Sequence, residues 1–313
     1  MSAGGQKQAI EQSLGVFVSE VRCVAPTGCL LGEGPLWSPS EGFLWWVDIK
    51  RAKLHRHNPT TGNTRRYDLP IHASALALYD GGLIMIGDRE VGRYDTATED
   101  YHTVCHLPEP EGSRTNDAGI APDGSLWFGT MDKTEQQVEG QYYRLAPDFT
   151  LERLGLPEVM VTNTMQFSPD GSVFYTCDSA EQTILAFDHE PGTVKLSNRR
   201  IFAETMDAGC YPDGTAMDRQ GYLWNAQWAG SRLVRYAPDG RLDRVIKLPV
   251  SRPTSCAFGG ADLSTLYITS ARVGLSPAAL DRQPLAGCLF ALDVDVPGLA
   301  VPAFGQTRAG YGS

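Results

Sequence analysis

Six polar residues recur at one fixed distance ahead of a repeated turn, and two of them are carboxylates. Each stands six positions before the proline of its turn, or before the residue that replaces that proline; the set is Glu33, Ser74, Asn116, Asn163, Asp213 and Thr254. Acids that meet at one point repel each other and are poorly solvated, and a divalent cation between them removes the repulsion. Glu, Asp and Asn supply the hard oxygen ligands that suit Ca²⁺, Mg²⁺ or Mn²⁺, and Zn²⁺ and Fe²⁺ accept them as well.

Within this set, Glu33, Asn163 and Asp213 are predicted to be the direct ligands of one metal. Three protein oxygens leave coordination positions open, which is typical of a catalytic metal rather than a structural one. An open divalent ion polarises a carbonyl and lowers the pKa of bound water, and esters and lactones benefit from that chemistry. Asn116, with the nearby Arg114, is placed for a substrate oxygen. The alternative is that these side chains only satisfy backbone groups at a wet channel mouth, although such capping does not call for two acids together.

The turns that set this spacing repeat along the chain and predict the architecture. Each precedes an apolar or aromatic strand, as in Ala-Pro-Asp-Gly-Ser-Leu-Trp-Phe at 121–128 and Ser-Pro-Asp-Gly-Ser-Val-Phe-Tyr at 168–175. Asp bonds its own backbone in such a turn, and Gly accepts the positive φ that the turn requires. The turn glycines fall about 40 to 50 residues apart, which is the length of one four-stranded blade. Six copies therefore predict an all-β fold, a six-bladed β-propeller, whose equivalent positions converge on the axis.

The predicted propeller spans residues 15–300, between an N-terminal tail at 1–14 and a C-terminal tail at 301–313. The early strand at 16–21 is predicted to close the ring by joining the last blade beside residues 288–292. Two unrelated β-sandwiches would not explain the near-equal spacing of the turns.

Composition limits the partners and the compartment. The net charge is −10, from 27 basic and 37 acidic residues with no basic block, which argues against nucleic acid and anionic membranes as partners. No apolar run approaches the roughly 20 residues of a membrane span, and residues 1–13 lack the apolar core of a signal peptide. The seven cysteines are scattered without a C-x-x-C pair, which favours free thiols in a reducing compartment. We therefore expect a cytoplasmic protein that is a monomer or a weak homo-oligomer.

Other candidate motifs are few. The sequence has no G-x-S-x-G, H-E-x-x-H or phosphate-binding glycine loop, which excludes the common serine hydrolases, zincins and P-loop enzymes. His55 and His57 share one face of a predicted strand and are expected to be exposed strand residues rather than a metal pair. Trp228 follows its strand and is the tryptophan expected in a pocket, whereas those inside the repeated strands are expected in the blade core.

Several motifs, in order, resemble the gluconolactonase, regucalcin and senescence-marker-protein family from about residue 31 to residue 298. They are Leu-Gly-Glu-Gly-Pro at 31–35, Arg-Thr-Asn-Asp at 114–117, Phe-Gly-Thr-Met at 128–131, Leu-Ser-Asn-Arg-Arg at 196–200, Tyr-Pro-Asp-Gly at 211–214 and Cys-Ala-Phe-Gly-Gly at 256–260. The stretches at 221–224 and 284–287 look most like bacterial sugar lactonases that act on pentonolactones or hexonolactones.

The resemblance implies a metal held by Glu33, Asn163 and Asp213 and substrate contacts from Arg114, Asn116 and Glu139. One position departs from the pattern, since many relatives have Asn-Gly at the ligand asparagine and this chain has Asn163-Thr164. Gly permits closer approach of a ligand, so the pocket wall is expected to be shaped differently here.

The predicted function is metal-dependent hydrolysis of a sugar lactone, such as xylono-, arabino- or gluconolactone, to the aldonic acid. The cofactor would be one divalent cation (Ca²⁺, Zn²⁺, Mg²⁺, Mn²⁺ or Fe²⁺), and Asp213 would serve both as a ligand and as the general base. Two alternatives stay open: a metal-dependent esterase or organophosphate hydrolase, and a propeller without catalysis that regulates through calcium or serves as an interaction platform. An interaction platform would not need the two axial acids.

Overall fold

The computed structural model describes residues 20–205 and 207–308, and within these ranges the chain forms six four-stranded antiparallel sheets. The strands are β1 (Arg22–Ala25), β2 (Gly32–Ser38), β3 (Phe43–Asp48), β4 (Lys53–His57), β5 (Thr64–Asp68), β6 (Ala73–Tyr79), β7 (Gly82–Gly87), β8 (Glu90–Asp95), β9 (Tyr101–His106), β10 (Ser113–Ile120), β11 (Leu126–Asp132), β12 (Tyr142–Leu145), β13 (Leu151–Arg153), β14 (Thr162–Phe167), β15 (Val173–Asp178), β16 (Thr183–His189), β17 (Leu196–Glu204), β18 (Tyr211–Met217), β19 (Leu223–Trp228), β20 (Arg232–Tyr236), β21 (Leu242–Lys247), β22 (Pro253–Gly259), β23 (Thr265–Ser270) and β24 (Leu289–Asp293).

The six sheets are the blades of a propeller. Four consecutive strands form each of blades 1 to 5, from β2–β5 through β18–β21, and blade 6 has the order β22-β23-β24-β1. The first strands of the blades, β2, β6, β10, β14, β18 and β22, each contact the next around a closed ring. The predicted all-β, six-bladed β-propeller is confirmed.

The repeated turns adopt the geometry that their sequence predicts. All six turn glycines have φ between 69° and 87°: Gly42, Gly81, Gly124, Gly171, Gly221 and Gly260. In the fourth turn Asp170 Oδ1 accepts the N–H of Ser172 at 3.0 Å, and in the third Asp123 Oδ1 accepts the N–H of Ser125 at 2.9 Å. The Asp therefore fixes the loop while Gly supplies the left-handed conformation that other residues rarely adopt.

The strands after these turns supply the core between blades. Trp45, Trp46, Trp127 and Trp224 are at most 1% exposed. Trp127 of blade 3 packs edge-on against Phe167 of blade 4, with ring centroids 5.1 Å apart. Burial of a side chain such as Phe167 stabilises the fold by about 1.5–3 kcal/mol, and an edge-to-face aromatic pair adds about 0.5–1.5 kcal/mol. Neighbouring blades are thus joined by aromatic contacts encoded in the repeat.

The ring closes through β1, which pairs with β24 and places Cys23 opposite Phe290. The predicted partner blade is right, but the predicted strand is displaced. Glu20 and Val21 precede β1, and residues 16–19 lie outside the described part of the chain. The closing residues are Arg22–Ala25 because Ala25 is buried against the blade and Arg22 reaches the Asp293 carboxylate across the seam at 3.0 Å.

The C-terminal segment lies across the end of the axial channel where the innermost strands finish. Leu299 N–H donates to the Met217 carbonyl at 2.9 Å, and Phe304 N–H donates to the Leu78 carbonyl at 2.7 Å. The Phe304 ring is buried between those of Tyr79 and Phe149. Residues 301–308 of the predicted tail therefore pack on the propeller, because Phe304 finds an apolar site there.

Regular helix is scarce in the described ranges. One α-helix, α1 (Pro277–Arg282), begins after Ser276, whose side chain accepts the N–H of Ala279 at 3.2 Å. Short 3₁₀ turns cover Ile49–Arg51 and Ser179–Glu181. None of the helices in the described chain combines the length and apolar character needed to cross a bilayer.

Candidate functional site

A β-bulge interrupts each innermost strand at the polar residue that the repeat places on the axis. The pairing register shifts in the same region of all six strands: Glu33/Leu36, Ala73/Ala75, Thr115/Ala118, Asn163/Gln166, Pro212/Thr215 and Pro253/Cys256. A bulge adds a residue to one strand and redirects its side chains. The bulges therefore aim the axial residues away from the blade and toward the centre of the ring.

Glycine follows both acids because the next blade lies very close at these bulges. Gly34 has φ +56°, and a Cβ there would lie 3.1 Å from the Cα of Ala75 in blade 2. A Cβ on Gly214 would lie 2.1 Å from Ser255 Oγ in blade 6. The Glu-Gly and Asp-Gly pairs thus let neighbouring blades approach closely beside each carboxylate.

The predicted metal ligands share one cavity with two of the predicted substrate residues. Glu33, Arg114, Asn116, Asn163 and Asp213 all line a cavity of about 460 Å³ at the end of the channel where the innermost strands begin. The two other axial residues, Ser74 and Thr254, form hydrogen bonds between blades: Ser74 Oγ with Thr115 Oγ1 at 2.8 Å, and Thr254 Oγ1 to the Gly32 carbonyl at 2.5 Å.

The two axial carboxylates are electrostatically strained. Desolvation raises the pKa of Glu33 to about 8, with a further contribution from the negative charge of Asp117. Desolvation followed by the charge of Glu33 raises the pKa of Asp213 well above its ordinary range. Each acid accepts one backbone N–H at 3.1 Å, from Gly34 and Gly214 respectively, and Arg114 offsets part of the repulsion. The ionised forms of the two acids are therefore only partly compensated by the protein.

A chain of hydrogen bonds orients the amide ligand. Arg114 Nη1 donates to Asn116 Oδ1 at 2.7 Å, and Asn116 Nδ2 donates to Asn163 Oδ1 at 3.0 Å. Asn163 Nδ2 donates to Ser179 Oγ at 2.8 Å, and Ser179 Oγ donates to the Pro212 carbonyl at 2.7 Å. The chain connects blades 3, 4 and 5 and leaves Asn163 one defined orientation.

Asp117 is a third acid at the axis that the sequence argument did not single out. Its Oδ1 accepts the N–H of Ala118 at 2.8 Å, and its Oδ2 accepts the N–H of Met165 at 3.2 Å. Desolvation raises its pKa to about 6, and its charge acts on both Glu33 and Asp213. The signal was its place directly after Asn116, since a bulge brings two successive residues toward the axis.

The donor set fits a hard divalent cation. No group of three or more His, Cys, Asp or Glu side chains that could hold a metal occurs in residues 20–205 and 207–308. The candidate ligands are instead two carboxylates and one amide oxygen, which is an all-oxygen set. Because the two acids are poorly solvated and repel each other, a cation placed between them would lower the energy of both ionised forms.

The family follows from comparison with known proteins. Residues 31–272 match the family model described as the SMP-30/Gluconolactonase/LRE-like region. The chain belongs to this family. The predicted family is therefore confirmed.

Curated members of the SMP-30/gluconolactonase family align over nearly the whole chain. L-arabinolactonase of Azospirillum brasilense is 36% identical over 291 residues, which cover 92% of this chain and 96% of the relative. The 6-deoxy-6-sulfogluconolactonase of Pseudomonas putida is 37% identical over 290 residues, which cover 91% and 98%. Both relatives are named as lactonases, so the predicted class, hydrolases of lactone ester bonds, is confirmed at the level of the family.

A solved structure with the same architecture is that of a regucalcin from Agrobacterium tumefaciens, described as a calcium-binding protein. It matches with a TM-score of 0.87 and 30% sequence identity, covering 91% of this chain and 97% of that chain.

One residue that the family resemblance indicated does not lie at the cavity. Glu139 is exposed, and it contributes its backbone carbonyl to Gln141 Nε2 at 3.3 Å. Glu135 lines the cavity instead. The loop after β11 explains the displacement, because the Asp132 carboxylate accepts the N–H of Gln136 at 3.0 Å and folds the loop back at Glu135.

Lys50, Tyr211 and Trp228 also line the cavity, and only one of them was predicted from the sequence. Lys50 and Tyr211 line the cavity without having been predicted, and neither belongs to a repeated motif position. Trp228 lines it as expected, with the Arg252 guanidinium 4.8 Å from the ring centroid. An aromatic face beside polar groups suits a sugar ring.

The expectation of exposed histidines on β4 is wrong. His55 and His57 are 4% and 2% exposed, because β4 lies between β3 and β5 inside blade 1. The His55 ring stacks on Trp46 with centroids 4.8 Å apart. Burial lowers the pKa of His55 to about 4 and lowers that of His57 as well. Both are neutral core residues and line no part of the cavity.

Proposed function

We propose that this protein is a metal-dependent sugar lactonase that opens the ring ester of an aldonolactone to give the aldonic acid. The observation that carries the proposal is the convergence of Glu33, Asn163 and Asp213 on one cavity that also contains Arg114 and Asn116. The names of the two lactonase relatives support a sugar lactone as the substrate class.

Glu33, Asn163 and Asp213 would hold the cation. When bound, a divalent cation supplies a Lewis acid for the lactone carbonyl and acidifies a water molecule. The all-oxygen donor set favours Ca²⁺ or Mg²⁺, and the calcium-binding description of the Agrobacterium regucalcin supports Ca²⁺ as the first cation to test.

Asn116 and Arg114 divide the work of substrate positioning. Both Asn116 Nδ2 hydrogens are used, toward the Thr162 carbonyl at 2.8 Å and Asn163 Oδ1 at 3.0 Å. Its Oδ1 accepts from Arg114 and retains a second lone pair for a sugar hydroxyl. Both Arg114 Nη1 hydrogens are held by acceptors and Nε is buried, so the Nη2 hydrogens are the donors assigned to a substrate oxygen.

Asp213 is assigned the proton transfer. Its Oδ1 accepts the N–H of Gly214, so Oδ2 is the oxygen assigned to receive the proton of the attacking water. The water oxygen forms a bond to the carbonyl carbon, the bond from that carbon to the ring oxygen breaks, and the ring oxygen takes up the proton. The product is the open-chain hydroxy acid.

The test is a pH-indicator assay of arabino-, xylono-, galactono- and gluconolactone after chelation and re-addition of single cations. We expect proton release from at least one lactone that disappears on chelation and returns with a divalent cation. An aryl ester and an organophosphate run in parallel identify the esterase alternative if they are turned over faster. Calcium binding without turnover of any lactone would instead support a non-catalytic calcium-binding propeller, which the description of the Agrobacterium relative favours.

A further inference from the structure

Thr164, the residue after Asn163, has an unusual backbone conformation. Its φ is +58°, in the left-handed region, and its side chain is fully buried. A β-branched residue is a genuine outlier there, because its branched Cβ crowds the backbone. Gly34, in the corresponding position after Glu33, has φ +56°. A threonine in a place that suits glycine calls for a contact that glycine could not make.

That contact is a hydrogen bond to the other side of the site. Thr164 Oγ1 donates to the Asp213 carbonyl at 2.8 Å. Asn225 Nδ2 donates to the same carbonyl at 2.9 Å. Asn225 belongs to β19 and so ties Asp213 to its own blade, whereas Thr164 belongs to β14 and crosses from blade 4 to blade 5. Thr164 therefore fixes where Asp213 lies relative to Asn163.

The strained conformation is held from two directions. On the backbone side, the Asp117 carboxylate of blade 3 accepts the N–H of Met165 at 3.2 Å and interacts with the N–H of Thr164. On the side-chain side, Thr164 Oγ1 accepts from Cys177 Sγ and from Asn225 Nδ2, both at 3.4 Å. The hydroxyl is thus fully hydrogen-bonded and has one orientation.

We propose that Thr164 is a positioning residue whose hydroxyl sets the separation of the ligands Asn163 and Asp213. This inference rests on the ligand assignment of the proposed function. Thr164 does not line the cavity, and it acts through the Asp213 backbone.

Three substitutions separate the hydroxyl from the strain. Thr164→Ser keeps the hydroxyl, Thr164→Val keeps the branched shape without it, and Thr164→Gly removes both. Loss of a hydrogen-bond partner of a metal ligand typically weakens metal affinity about 10- to 100-fold. We therefore expect the Val and Gly variants to bind the cation at least about tenfold more weakly, and the Ser variant to remain close to wild type.

Affinity is measured by calorimetric titration with Ca²⁺, Mg²⁺, Mn²⁺ and Zn²⁺ in turn. The titrated sample is protein from which a chelator has removed metal ions, called the chelated protein below. Thr130→Val is the matched control, because Thr130 is equally buried and its hydroxyl bonds only the backbone of Gln141. With an arabinolactone as substrate, we expect the Val and Gly variants to show a larger change in kcat than in KM. The reason is that Arg114 and Asn116, the proposed substrate contacts, are not bonded to Thr164.

The outcomes distinguish this inference from the proposed function. Equal affinity of the Gly, Ser and wild-type proteins for the cation would overturn the positioning role, whatever the lactonase assay shows. Weakened binding in Gly with rescue in Ser, in a protein that hydrolyses no lactone, would uphold the positioning role and overturn the lactonase. If Val does not fold, the Gly and Ser pair still decides. A wild type that binds none of the four cations would overturn both.

Discussion

At the scale of single residues, the site places two carboxylates where their charged forms are unfavourable. Glu33 and Asp213 cost the metal-free protein stability, because desolvation and mutual repulsion disfavour their charged forms. Residues kept in unfavourable surroundings are typical of functional sites, where binding of a ligand offsets the free-energy cost that such residues impose on the folded protein.

Replacement of Asp213 by Asn should separate stability from function. The change removes one of the repelling charges, so the thermal midpoint of the chelated protein is expected to rise. Loss of a hydrogen-bond partner of a metal ligand already lowers metal affinity about 10- to 100-fold, so replacing the ligand Asp213 itself should lower the affinity by more than about 100-fold. Thermal unfolding in chelator, calcium titration and lactone turnover measure the three effects.

The control for that variant is Asp295→Asn, which removes a charge from a partly exposed pair with Arg244. A surface pair contributes about 0–1 kcal/mol, so neither midpoint nor affinity should change much. Retained turnover in Asp213→Asn would contradict its assignment as ligand and base.

The sequence predicted these residues unevenly, and the reason is geometric. Glu33, Asn163 and Asp213 were found because each stands six positions before a repeated turn, and the repeat converts spacing into position. Asp117 was missed because the bulge adds a second axial residue that no simple period reveals. The family resemblance indicated Glu139, whereas Glu135 lines the cavity, and the loop between strands that carries both has no periodic signal that would place either.

At the scale of elements, each blade depends on interactions that the turn sequences encode only in part. The glycine turns followed from local pattern, and the φ angles of their glycines agree with the prediction. The bulges did not follow, because they arise from the packing of one blade against the next. Buried polar clusters inside a blade, such as that around Asp218 of blade 5, likewise needed the fold.

Asp218 offers a test at this scale. It is fully buried and accepts from Arg235 Nη2 at 2.6 Å and Trp224 Nε1 at 3.0 Å. Asp218→Asn removes one of the two carboxylates that pair with the buried Arg235 guanidinium and leaves only the partly exposed Asp243, which should lower the free energy of unfolding by about 1–3 kcal/mol. Because Asp218 lines no part of the cavity, calcium affinity should stay at the wild-type value. Chemical denaturation measures the change in stability, and calcium titration measures the affinity. A changed calcium affinity in a fully folded Asp218→Asn variant would contradict the idea that the blade interior stabilises the fold without affecting the site.

At the scale of the whole molecule, the ring closes through segments remote in sequence. β1 completes blade 6, and residues 299–308 cover the far end of the channel. The repeat predicted the number of blades but not the register of the closing strand, because only the pairing with β24 selects it. The packing of Phe304 between Tyr79 and Phe149 is likewise a tertiary contact without a local signal.

The acids at the axis come from different blades, so only the closed ring brings them together and raises their pKa values. The stability of the folded protein should therefore depend on pH. Between the ordinary carboxyl pKa and the raised value of about 8 for Glu33, the folded state binds more protons than the unfolded state. Stability of the chelated protein must then fall as pH rises through this window. Asp117 and Asp213 contribute with the same sign.

The histidines act in the opposite direction, and their pH range can be avoided. The lowered pKa of His55, about 4, makes stability rise with pH only up to the ordinary histidine value near 6.5. Thermal scans of chelated protein from pH 6.5 to 8 therefore isolate the axial acids, and we expect a falling midpoint. Calcium should raise the midpoint more at pH 8 than at pH 6.5, because fewer protons are displaced on binding. Glu33→Gln should flatten the chelated profile, and an equal calcium effect at both pH values would contradict a cation held between the two acids.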